Sequence, residues 1–277
     1  MKPLKPRPNP IPKLEWLINY CFRAPAFFLS TAIFGSLSLI ASLWDKSGRQ
    51  QHAIAHSWGR AITRISGARV TILNGERLRL HSEGGRAAIY AANHLSYMDT
   101  PVIFGALPFQ FRIVARHELF KLPFIGWHLT RSGQVPVNVT NPRASIASLS
   151  SAVRTLKAGM PVFIFPEGGR SESGHPDAFL NGPAFMAIRA QVPIVPMALI
   201  GTHELLPIHT SVFHPVRVKL AVGEPINTNG YSIRQIDELT MRMKTEICRL
   251  FYAHTYLERG PADIPRPEPE AITLENL

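Results

Sequence analysis

Seven short apolar runs, at residues 70–73, 87–92, 111–114, 135–137, 161–165, 194–199 and 217–222, alternate with longer stretches of helical spacing at 100–106, 122–132, 143–157 and 182–191. Runs this short, rich in β-branched and aromatic residues, read as strands rather than helices. A strand joined to the next by a helix returns to the same end of the sheet and pairs in parallel. Strands covered on both faces lose their in–out alternation and become continuous apolar runs, as 87–92 and 194–199 are. The expected fold is α/β, with a mixed, largely parallel sheet flanked by helices. A last long helix is expected over 232–255, where Ile236, Leu239, Met243, Ile247, Leu250 and Phe251 fall near one face.

The first seventy residues have a different character. Of a net charge of +11, most lies here: ten Lys and Arg stand against only Glu15 and Asp45. Between Arg23 and Asp45 run 21 uncharged residues, flanked by Trp16, Tyr20 and Trp44 as interfacial anchors. Basic charge beside an apolar segment points to an anionic membrane surface. The body shows no basic face interleaved with aromatics, so nucleic acid is not an expected partner. Asp45-Lys46-Ser47-Gly48 is expected to turn the chain into a second amphipathic arm over 49–66, with Ala53, Ile54, Trp58, Ile62 and Ile65 near one face. A membrane-associated helical hairpin lying in one interface keeps the rest of the chain on the cytoplasmic side. The alternative for the pair is a helix hairpin packed on the protein core. The expected division is a basic N-terminal segment and hairpin at 1–68, a catalytic domain at 69–257, and a Pro-rich acidic tail at 258–277. The tail and the Pro-rich residues 1–12 are expected to lack fixed structure.

Cys21 and Cys248 are the only cysteines, and no CxxC spacing occurs. No metal site is expected. His203-Glu204 lacks the second His of a zinc motif, and His52 and His56 read as interfacial helix residues.

Two segments carry chemistry. Asn93-His94-Leu95-Ser96-Tyr97-Met98-Asp99 follows the strand at 87–92, and Thr100-Pro101 opens a helix after it. A strand end turning into a helix can bring positions 94 and 99 together. Asp99 would then fix one imidazole nitrogen of His94, leaving the other to take a proton from a hydroxyl. The same spacing also fits a surface histidine beside a helix-capping aspartate. Pro166-Glu167-Gly168-Gly169-Arg170-Ser171 follows the strand at 161–165. Its glycines permit amides to face an anion, and Arg170 can grip a phosphate. Glu167 would bind a substrate hydroxyl or hold Arg170, unless the pair is simply structural. No GxSxG elbow is present, so a covalent acyl-enzyme is not expected.

The chain resembles the glycerolipid acyltransferases of the lysophosphatidic acid acyltransferase type. Asn93–Asp99 matches that family's NHxxxxD block, and Phe165–Ser171 matches its FPEGTRS block, with Gly169 where Thr is usual. Val192-Pro193-Ile194-Val195-Pro196 matches its VPIVP strand, and residues 116–123 resemble the segment between the first two blocks. The resemblance implies His94 as general base and Asp99 as its orienting partner. It places Glu167, Gly168, Gly169 and Arg170 at the acceptor phosphate, with Lys121 as a second positive group. It implies acyl transfer from an acyl thioester, acyl-CoA or acyl-acyl carrier protein, to the free hydroxyl of a lysophospholipid, with no bound cofactor. Two positions depart from the pattern. Val137-Asn138-Val139 stands where the family carries Ile-Asp-Arg, and Phe179-Leu180-Asn181-Gly182 where it carries Phe-Lys-x-Gly. Arg131 or Arg143 are candidate replacements for the first lost charge. The losses leave a lyso-aminolipid or other lyso-lipid as an alternative acceptor. An acyl-thioester hydrolase and a non-catalytic membrane-binding module are the other competing readings.

Overall fold

The computed structural model of the protein describes residues 13–78, 87–138 and 142–257. The expectations for residues 1–12 and for the tail at 258–277 lie outside these residues. Seven strands form one sheet: β1 (Arg69–Leu73), β2 (Ile89–Ala92), β3 (Arg112–Arg116), β4 (Val135–Val137), β5 (Val162–Ile164), β6 (Ile194–Ile200) and β7 (Arg217–Val222). Their order is β1-β7-β6-β2-β5-β3-β4. Every neighbouring pair is parallel except β6 with β7, so β1 and β7 run against the other five. The described helices are α1 (Lys13–Ile18), α2 (Ala24–Ala41), α3 (Arg49–Ile65), α4 (Asp99–Ala106), α5 (Ile125–Arg131), α6 (Pro142–Lys157), α7 (Gly182–Ala190), α8 (Thr202–Leu205) and α9 (Ile236–His254). The mixed, largely parallel sheet flanked by helices is the one the sequence pattern implies.

All four residues of β2 are buried, because both faces of the sheet are covered. Tyr90 and Ala92 face the layer that holds α4, with Met98, Val102 and Ile103. Ile89 and Ala91 face the layer that holds α7 and α9, with Ala184, Ala187 and Met243. The chain leaves β2 toward β3, whereas it leaves β5 toward β6, on the other side of β2. The two connections run over opposite faces of the sheet, through the α4 layer and the α7 layer, and adjacent parallel strands connected in this way open a crevice at their carboxyl ends. Both chemistry-bearing segments sit at that point.

The two N-terminal arms pack differently. In α2, Phe28, Leu29, Ile33, Leu37 and Ile40 are exposed, and the helix running from Lys13 to Ala41 is long and apolar enough to cross a bilayer. Its inner side is seated on the body: Ser38 Oγ lies 2.6 Å from His128 Nδ1 of α5, and Trp58 Nε1 of α3 donates to Thr31 Oγ1 at 3.2 Å. In the π-helical turn joining α1 to α2, buried Asn19 donates to the Ser211 carbonyl and accepts from the Phe213 amide. The arm α3 corrects the expectation of a second membrane face. It presents Gln51, His52, Ala55, Gly59 and Ile62 to the body, and Trp58 and Ile65 pack against the core. A Cβ at Gly59 would collide with the carbonyl of Pro101, so the missing side chain is what lets α3 cross α4 closely. His52 and His56 are likewise not interfacial. His52 is buried edge-on against Phe111, and His56 Nδ1 donates to the Phe104 carbonyl at 2.9 Å. An apolar stripe on a helix is satisfied by protein as well as by lipid, and in α3 it meets protein.

Candidate active site

The turn between β2 and α4 is held by its own side chains. Asn93, fully buried, exchanges two hydrogen bonds with the main chain of Leu199 at 2.9 and 2.8 Å, carrying the β2–β6 ladder one residue past Ala92. Ser96 Oγ donates to the Leu206 carbonyl at 2.8 Å and receives the Met98 amide. Asp99, with no exposed surface, begins α4, where the helix N-terminus favours negative charge. Its Oδ2 accepts three donors: the Leu95 amide at 2.6 Å, the Ser96 amide at 2.8 Å and His94 Nδ1 at 2.7 Å. A carboxylate so placed only accepts, so Nδ1 carries the proton and the lone pair resides on Nε2. The His94 side chain is 18% exposed, and Nε2 has no hydrogen-bond partner among the described residues. The geometry is that of an oriented base open to an incoming hydroxyl.

The loop after β5 closes over this turn. Phe165 stacks flat on the His94 ring, with centroids 4.0 Å apart and planes 10° from parallel. The Ser171 amide donates to the His94 carbonyl at 2.9 Å. Gly168 has a φ of 68° and its amide donates to the Phe165 carbonyl, a turn that only glycine makes without strain. Gly169 differs. A Cβ added there would meet nothing within 4 Å, so the position has room for the family's usual threonine. Arg170 lies over the exposed ring of Tyr97, 3.4 Å from its centroid, a cation–π contact that sets the guanidinium on the turn bearing the base. Its Nη1 is buried without a partner among the described residues.

Glu167 neither faces outward nor pairs with Arg170. Its Oε1 accepts the main-chain amide of His94 at 2.9 Å, and Oε2 is buried with no hydrogen-bond partner. Burial raises its carboxyl from 4.5 to about 8, against the opposing effects of the His94 and Asp177 main-chain amides. Lys121 ends a 3-10 turn, His117–Lys121, at the carboxyl end of β3, two strands from β2 at the same sheet edge. It is exposed and forms no ion pair or hydrogen bond among the described residues. Arg131 precedes β4 and therefore sits at the opposite end of the sheet, with Nη1 3.5 Å from Ser42 Oγ. It does not replace the charge absent near position 139. Arg143 lies outside the residues whose side chains are described.

An apolar cleft opens between α2, α3, α4 and α5. Thr100, next to Asp99, lines it together with Phe34, Trp58, Phe104, Phe124 and Leu129. Phe165, Tyr97 and Asn93 are site residues that the sequence reading did not single out. Each lies within one of the two motifs, but its partner is distant in sequence and only the fold brings the two together.

The His–Asp turn and the Gly-Arg loop thus meet at adjacent strand ends, and comparison with known proteins shows the family to which this arrangement belongs. The family described as Acyltransferase matches residues 69–200. A 1-acyl-sn-glycerol-3-phosphate acyltransferase of Chlamydomonas reinhardtii is 31% identical over 229 residues, covering 81% of this chain and 67% of that protein. One from Limnanthes douglasii is 30% identical over 224 residues, covering 80% of this chain and 76% of its own. The crystal structure of the 1-acyl-sn-glycerophosphate (LPA) acyltransferase PlsC from Thermotoga maritima superposes with a TM-score of 0.71 at 25% identity, covering 85% of this chain and 95% of that one. The chain belongs to the glycerolipid acyltransferase family, of the lysophosphatidic acid acyltransferase type. It is an enzyme, an O-acyltransferase.

Proposed function

We propose that this enzyme transfers a fatty acyl group from an acyl thioester to the free hydroxyl of lysophosphatidate, forming phosphatidate at a membrane surface. The observation that carries the reading is the His94 imidazole, fixed by Asp99 through Nδ1 and open at Nε2. Nε2 removes the proton of the lipid hydroxyl as its oxygen attacks the thioester carbonyl. The imidazolium is stabilised by the Asp99 carboxylate and then protonates the departing thiolate, so no net charge is left on the enzyme. Arg170, held on Tyr97 beside the base, is the cation placed to receive the acceptor phosphate. Lys121 is a second positive group at the same sheet edge. The apolar cleft that Thr100 lines offers an acyl chain a place. Acyl-CoA or acyl-acyl carrier protein serves as donor, and neither a cofactor nor a metal takes part.

The exposed apolar side of α2, with the basic N-terminal residues, attaches the protein to an anionic bilayer, the catalytic body lying on the cytoplasmic face. A second acceptor class is favoured by one observation: Val139 and exposed Leu180 stand where the family carries basic residues, lowering positive charge around the site. The test is diacyl product formed from a long-chain acyl thioester with lysophosphatidate or with lysophosphatidylethanolamine. Faster turnover of lysophosphatidate supports the first reading, faster turnover of the aminolipid supports the second, and thiol release with no acceptor would assign a hydrolase.

A further inference from the structure

The half-buried Glu167 carboxyl lies between the two halves of the site and forms no ion pair among the described residues. Oε1 holds the His94 amide, and Oε2 is shielded without a completed hydrogen bond. The groups around it are mostly acidic or neutral. Asp99 and His94 face it from the turn after β2, Asp177 turns both its main-chain amide and its carboxylate toward it from its own loop, and Cys248 faces it from α9 with Lys244 beyond. Arg170, three residues on, lies over Tyr97 and forms no ion pair with Glu167. An unpaired carboxylate in such a position is costly, and the cost is removed when the group takes up a proton. Asp99 Oδ1 is likewise buried without a partner among the described residues, but three donors, one of them the His94 imidazole, converge on its Oδ2 and stabilise the charge there. Two carboxyl groups flanking one histidine therefore differ in what each can hold: Asp99 keeps the charge and Glu167 the proton.

We propose that Glu167 is a positioning residue working in its protonated form, which clasps the His94 main chain and leaves Asp99 the only anion beside the imidazole. It does not bind the acceptor. Through its hold on the amide, it sets where His94 Nε2 sits relative to the incoming hydroxyl. The raised carboxyl, at about 8, is consistent with this. The folded protein keeps a proton that the unfolded chain releases at an ordinary 4.5, so this group's contribution to stability is full below 4.5 and is lost as pH rises through about 8. Deprotonation in that window also sets a second negative charge next to the base.

The inference rests on the acyl-transfer reading for its kinetic arm but not for its stability arm. Initial rates are measured from pH 6 to 9.5 with varied lysophosphatidate, for the wild type, Glu167→Gln and Glu167→Ala, with thermal midpoints over the same range. Gln keeps the acceptor oxygen and supplies N–H in place of O–H. Glu167→Gln is expected to keep turnover within about threefold at pH 6.5 and to lack the alkaline decline that the wild type shows with a midpoint near 8. Glu167→Ala is expected to lower kcat by about 10- to 100-fold through a misplaced base, with KM for the acceptor within about twofold. The wild type should also lose more thermal stability than Glu167→Gln between pH 6 and 9. Glu167→Gln as inactive as His94→Ala would show that an ionised carboxylate is needed. A rise in acceptor KM at unchanged kcat would return Glu167 to substrate binding. Identical alkaline limbs and identical stability profiles in the wild type and Glu167→Gln would remove the proton from the account. If no acceptor is turned over at all, the acyl-transfer reading fails and the stability profiles still decide the state of Glu167.

Discussion

The turn after β2 and the loop after β5 are neighbours at one edge of the sheet, but they are held in different ways. In the turn, side chains bond to the main chain: Asn93 to Leu199, Ser96 to Leu206 and Met98, Asp99 to Leu95 and Ser96. In the loop, the main chain is secured to the turn, and Glu167 and Arg170 each keep a buried polar atom without a partner among the described residues. Asp99 does so in the turn at Oδ1 alone, while its Oδ2 takes three donors. The first arrangement suits a base whose position must not vary, since small displacements of a reacting group cost rate steeply. The second suits groups whose partners arrive with the substrate or carry a proton, because unpaired polar atoms are costly unless something completes them. In the proposed mechanism the rigid turn supplies the base and the receptive loop holds the acceptor.

Substitutions on the two sides should therefore differ in kind. His94→Ala removes the base and is expected to lower kcat by about 10³-fold or more with the fold intact, as circular dichroism and initial rates would show. Asp99→Asn should cost about 10²-fold in kcat, because an amide facing Nδ1 no longer fixes the tautomer; its effect on acceptor KM should be slight. On the receptive side, Arg170→Ala is expected to raise KM for lysophosphatidate by about 10- to 100-fold, the worth of one or two charge-assisted hydrogen bonds, with a smaller change in kcat. A kcat effect as large as that of His94→Ala would erase the distinction between the two segments. Gly168→Ala should cost about 1–2 kcal/mol of stability, read as a lower thermal midpoint, because its φ of 68° is strained for any L side chain. Gly169→Thr is the smallest change, within about 0.5 kcal/mol and with activity near that of wild type, since the space beside it is empty.

Much of this was legible in the chain. Each of the seven apolar runs is a strand, and the signature is clearest in the central β2, β5 and β6, whose residues are buried throughout. Boundaries shifted where charged residues join the ladder, as in β3, which begins at Arg112 and ends at Arg116 although the apolar run suggested 111–114. The pairing of His94 with Asp99 was readable because both lie in one turn. The clasp of Glu167 on His94 was not, because it joins residues 73 apart through a main-chain amide that carries no sequence signal. Arg170 over Tyr97 was hidden for the same reason. The second arm of the hairpin misled through its periodicity, which records an apolar stripe and says nothing of what covers it. Only the crossing at Gly59 and Gly105 shows that α3 serves α4, the helix that begins at Asp99.

The central claim is that an oriented His94 transfers an acyl group to a lipid hydroxyl. Its most direct test is free-thiol release by the purified protein in mixed micelles, with a long-chain acyl thioester, with and without lysophosphatidate, for the wild type and His94→Ala. The account expects release that requires both the acceptor and His94 and that matches diacyl product mole for mole. Equal release from wild type and His94→Ala, or release indifferent to acceptor, would contradict it.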